Sequence, residues 1–101
     1  MPTYVLLTTL TPDGRESLHK NPGRLEAVNS EIEALGCKVV AQYALLGPYD
    51  FLNIIEAPDN ETMAHVSIDL GARKTASFAT FPAMSIKDLS GKLSGARHLA
   101  R

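Results

Sequence analysis

Tyr49 and Asp50 stand side by side at the mouth of a predicted hairpin, Ala44–Asp59, and no other pair in the chain is better placed to do chemistry. A carboxylate there can act as a general base or anchor a ligand, with the phenol as a second polar group. The commoner role is structural: Asp50 accepts backbone N–H groups around the turn, while Tyr49 packs its ring and keeps its hydroxyl wet. Gln42 and Asn53 form a second set. If the hairpin closes at Gly47-Pro48, Leu46 faces Tyr49 and Gln42 falls opposite Asn53 on one sheet face, among Val40, Ala44, Phe51 and Ile55. Two amides on an apolar face are costly unless paired. Either they satisfy each other, or they orient a small ligand in a pocket. Gln42, Tyr49, Asp50 and Asn53 are therefore the ligand-binding candidates, and no residue is assigned a catalytic role.

The remaining reactive groups suggest little. His19, His65 and His98 lie far apart and share no metal-ligand spacing, so no metal is expected. One histidine would suffice as an axial haem ligand, but nothing in the chain calls for haem, and no cofactor is expected. Cys37 has no basic cluster or histidine beside it and reads as an inert buried thiol. There is no Gly-rich phosphate loop and no Gly-x-Ser-x-Gly elbow.

The elements that must position these groups follow from pattern. Thr3–Leu10 reads as a strand, and Thr11-Pro12-Asp13-Gly14 ends it with turn chemistry. A helix follows, in one or two pieces. Its second piece is bounded by Asn21 as cap, Pro22 at the first helical position and Gly36 in a left-handed conformation, with Leu25, Val28, Ile32 and Leu35 as its apolar stripe. Strands are predicted over Cys37–Leu46 and Tyr49–Ala57. Asp59 caps a second helix that turns Met63, Val66 and Leu70 to the core. Lys74–Lys87 reads as a fourth strand, which Pro82 confines to an edge or breaks. Asp88–Arg101 reads as a tail or short helix anchored by Leu89, Leu93 and Leu99, on the same subunit or a neighbour.

The order β-α-β-β-α-β is the ferredoxin-like arrangement, an α+β fold with an antiparallel four-stranded sheet and two helices on one face. The domain spans 1–87 and the docking tail 88–101. In the second strand, Val40, Ala44 and Leu46 alternate with Val39, Ala41, Tyr43 and Leu45, so both faces are apolar. Helices cover only one. A second subunit, sheet against sheet, is the simplest cover for the other, and the ligand pocket is expected between the two sheets.

At 101 residues the chain makes one domain that buries roughly 60–70% of its unfolded surface. A net charge of −1 argues against a nucleic-acid footprint. No apolar run reaches the ~20 residues of a membrane span. No signal peptide is visible and Cys37 has no intrachain partner, which points to the cytoplasm.

Gly47-Pro48-Tyr49-Asp50, followed by Glu56-Ala57-Pro58-Asp59, resembles the hairpin after which the GYD-domain proteins are named. Pro22-x-Arg24-Leu25 and Gly71-x-x-Lys74-Thr75 are similar to further family features, and the likeness covers roughly Thr3–Thr80. The resemblance implies a dimeric α+β barrel, in which two ferredoxin-like sheets close on each other. That superfamily includes cofactor-free monooxygenases, haem enzymes and amino-acid-sensing domains, and the resemblance implies no particular reaction. The expected function is a cytoplasmic small-molecule-binding or accessory protein that pairs with itself, as a dimer or a ring of dimers. The alternatives are a cofactor-independent enzyme, monooxygenase-like or isomerase-like, and a structural assembly subunit.

Overall fold

A computed structural model of the chain describes residues 1–95 together with Arg97 and Leu99. His98 and the end of the tail at Arg101 lie outside the described residues. The elements run β1 (Thr3–Leu10), α1 (Pro12–Lys20), α2 (Arg24–Ala34), β2 (Lys38–Ala44), β3 (Phe51–Glu56), α3 (Asn60–Ala72), β4 (Ala76–Ala83) and α4 (Ile86–Gly95). The strands form one antiparallel sheet in the order β2-β3-β1-β4.

The helical segment after β1 is two helices. Thr11-Pro12 does not make a turn that merely ends the strand. Thr11 caps α1, its hydroxyl accepting from the Gly14 N–H at 3.1 Å, and Pro12 takes the first turn, where its missing N–H costs nothing. Asn21 closes α1 rather than capping α2, which begins after Gly23. Gly36 has the left-handed φ of +90° expected of it. Asp59 caps α3 through the Thr62 N–H at 2.8 Å. Its carboxyl is held below the usual range by the Thr62 hydroxyl and N–H.

The fourth strand is shorter than its predicted span. Lys74, at φ 65°, turns the chain into β4, and Ser85 accepts the Asp88 N–H and starts α4. Ile86 and Lys87 are therefore helical rather than extended. Pro82 sits on β4, an edge strand.

One face of the sheet is covered. Tyr4, Leu6 and Ile55 pack with Ile32 of α2 and Met63, Val66 and Leu70 of α3 to form the core. Cys37 is buried there, and burial pushes its thiol up, away from the reactive thiolate. The other face is open. Val5 pairs with Ile54 and Phe81, Leu7 with Leu52 and Ala79, and Tyr43 with Leu52, so apolar side chains run across all four strands. Tyr43 is 60% exposed and Phe81 50%. No residue of α4 is buried.

The two apolar faces of β2 have a specific cause. Val39 pairs with Ile55 and Ala41 with Ile54, leaving Val40 without a partner as a β-bulge. The extra residue resets the alternation. Val39 and Gln42 consequently share the helix-facing side although they are three apart.

Candidate functional site

Gln42 and Asn53 pair in register, as the hairpin arithmetic requires. They do not face the open side of the sheet. Their strand partners place them with Leu6, Thr8 and Ile55, under the helices, so the expected position between two sheets is corrected: the Phe51, Asn53 and Ile55 side of β3 is the one the helices cover. Nor do the two amides satisfy each other. Gln42 exchanges two hydrogen bonds with Asn29 of α2, accepting from Nδ2 at 3.1 Å and donating to Oδ1 at 3.2 Å. Asn53 is only 7% exposed, and its Oδ1 is buried without a hydrogen-bond partner among the described residues.

Both amides line a cavity of about 110 Å³ between the sheet and the helices. Its apolar walls include Leu6, Val28, Ile32, Phe51, Leu70 and Phe78. Arg24 and Arg73 also line it. The Arg73 guanidinium is bound by Glu31, whose carboxyl that contact holds below its usual range. Arg24 has no carboxylate within 4.0 Å among the described residues. A second space lies beside it, bounded by Glu31, Leu35, Val66 and Asp69.

Tyr49 and Asp50 lie elsewhere, at the hairpin mouth, and do not line either space. The Asp50 carboxylate accepts from the Leu10 N–H, and its own N–H donates to the Thr8 carbonyl at 2.7 Å. Arg15 stands 4.0 Å from the same carboxylate. Tyr49 is partly exposed at 37%. Among the described residues no group of three or more His, Cys, Asp or Glu side chains could hold a metal ion.

With the hairpin geometry in hand, the comparison with known families is decisive. The family model described as GYD domain matches residues 4–92. The chain belongs to the GYD domain family. It is 48% identical over 94 residues to a Thermus thermophilus protein named glutamine synthetase and cystathionine beta-lyase binding protein. That alignment covers 92% of this GYD chain and 99% of the relative. No solved structure matches the GYD chain.

Asn29, Arg24 and Arg73 were not read from the sequence as site residues, and Arg24 stood there only within the Pro22-x-Arg24-Leu25 feature. Asn29 was within reach, because Leu25, Val28, Asn29 and Ile32 occupy one helical face at spacings of three and four. An asparagine on the core face of α2 needs a partner, and Gln42 is that partner. In this GYD domain Arg24 opens α2 directly after the Asn21-Pro22-Gly23 turn, which carries its side chain to the cavity wall.

Proposed function

We propose that this chain is an accessory protein that binds metabolic enzymes, with glutamine synthetase and cystathionine beta-lyase as the first partners to test. The observation that carries the reading is the Thermus thermophilus relative named for binding those two enzymes, aligned over nearly the whole length of both chains.

The arrangement in this reading is ferredoxin-like, supported by the element order and by the strand order β2-β3-β1-β4. Two copies join sheet to sheet as a dimeric barrel. α4 docks its stripe of Ile86, Leu89 and Leu93 on the neighbouring subunit, since those side chains are exposed on their own chain. The setting is the cytoplasm. No helix of the described residues is long and apolar enough to cross a membrane.

The test mixes the purified protein with purified glutamine synthetase, and separately with cystathionine beta-lyase, and follows co-sedimentation. A complex with either enzyme that survives dilution to micromolar concentration is the expected result. Independent sedimentation of all components overturns the reading.

A further inference from the structure

We propose that the cavity under α1 and α2 binds a small molecule carrying a primary carboxamide at one end and a carboxylate at the other, joined by a short aliphatic spacer. The inference rests on the cavity and not on the enzyme-binding reading.

Asn53 supplies the first argument. It is 93% buried, taking its 7% exposure from the whole, and its Oδ1 has no partner among the described residues. A buried amide oxygen left unpaired is costly, and proteins of this size contain few. The amide lies on the cavity wall with its oxygen closed off from the space, and its terminal torsion is a soft one, so rotation about it can bring the acceptor edge to a ligand. An amide carries its acceptor and its donors side by side in one plane. A group that complements it has the same pair in reverse order, as another primary carboxamide does. The neighbouring ladder position already shows the match: Asn29 and Gln42 exchange two such bonds at 3.1 and 3.2 Å.

Arg24 supplies the other end. It lines the same cavity and, unlike Arg73, has no carboxylate within 4.0 Å among the described residues. A partly exposed guanidinium beside an apolar space is suited to a carboxylate, which it grips through parallel N–H donors. Between the two ends the walls are aliphatic and aromatic, as a methylene spacer requires. The volume of about 110 Å³ is several times what one water needs and has room for a short chain.

The experiment titrates the full-length protein with glutaramate and with L-glutamine, using glutarate as the control that lacks the carboxamide, and reads heat and amide chemical shifts. Saturable binding of glutaramate or L-glutamine, at least about tenfold tighter than glutarate, is expected. Arg24→Gln, on the partly exposed rim, is expected to keep the fold and weaken binding by about tenfold. Asn53→Leu, with the same heavy-atom branching and cavity space beside it for its larger methyl groups, is expected to abolish binding while leaving the melting temperature equal or higher, because it removes an unpaired polar atom. No saturable binding at low-millimolar ligand, equal binding of glutarate, or unaltered binding by folded Asn53→Leu each overturns the proposal. If Asn53→Leu fails to fold, the Arg24→Gln and glutarate comparisons decide it alone.

Discussion

The Asp50 carboxylate accepts the backbone N–H of Leu10 at 2.7 Å, across 40 residues of chain. The bond fastens the mouth of the β2–β3 hairpin to the point where β1 gives way to α1. The donor is a backbone N–H, but it belongs to the end of β1 and not to the hairpin turn around which Asp50 was expected to act. Asp50→Ala is expected to lower stability by about 1–2 kcal/mol, the usual scale for losing a side-chain acceptor of a backbone donor. Urea denaturation measures this. An unchanged midpoint together with a lost ligand or enzyme contact would instead assign Asp50 to the site.

Gly14 has no room for a side chain. A Cβ built there would stand 1.9 Å from the Thr75 carbonyl oxygen, where the segment entering β4 crosses the first turn of α1. The crossing is fixed by the Thr11 N–H on the Thr75 carbonyl and the Thr11 hydroxyl on the Lys74 carbonyl, both at 3.0 Å. Glycine to alanine within a helix ordinarily stabilises by up to about 1 kcal/mol. Here the sign is expected to reverse, with Gly14→Ala costing roughly 1–3 kcal/mol or more, because backbone must move. Thermal unfolding of the purified variant checks it.

Ile54 lies in the middle of the open face, paired with Val5 on one side and Ala41 on the other. A lysine there puts a charge where the second sheet would pack. Ile54→Lys is expected to convert a sedimenting dimer to a folded monomer. A wild-type protein that is already monomeric at micromolar concentration would defeat the barrel arrangement.

Acid sensitivity follows from two carboxylates. Asp59 is lowered by the Thr62 hydroxyl and N–H, and Glu31 by its bond to Arg73. Both have folded values below their unfolded ones. Their contributions are therefore fully present above the unfolded carboxylate range, near pH 4, and are lost as pH falls through the folded values. Melting temperature is expected to decline below about pH 4, and Asp59→Asn is expected to flatten the slope there.

The core was largely legible from pattern. Met63, Val66 and Leu70 follow the helical period, Asp59 is a cap in position and chemistry, and the turn at Gly47-Pro48 set the Gln42–Asn53 pairing. The face those amides occupy was not legible. Alternation groups Phe51, Asn53 and Ile55 on one face of β3 but does not say which face the helices cover, and the bulge at Val40, with no Gly or Pro to announce it, shifts only the residues of β2 before it. The start of α4 was hidden for another reason. Ile86 is apolar and follows a strand, so only the spacing from Ser85 to Asp88 distinguishes a cap from a continuing strand. Asn53 was recognised as costly, but its missing partner is a property of three-dimensional neighbours that no spacing encodes.

The bulge at Val40 has a consequence for how chains of this kind avoid misassembly. β2 and β4 are the two edges of the sheet, where unpaired backbone groups invite foreign strands to add on. The bulge kinks the first edge and breaks its ladder, and Pro82 withholds an N–H from the second. Both rims are thus poor templates for a growing fibril, while the broad apolar face remains available. A contact through the open face does not extend the ladder, so it carries none of the open-ended growth that a free edge invites.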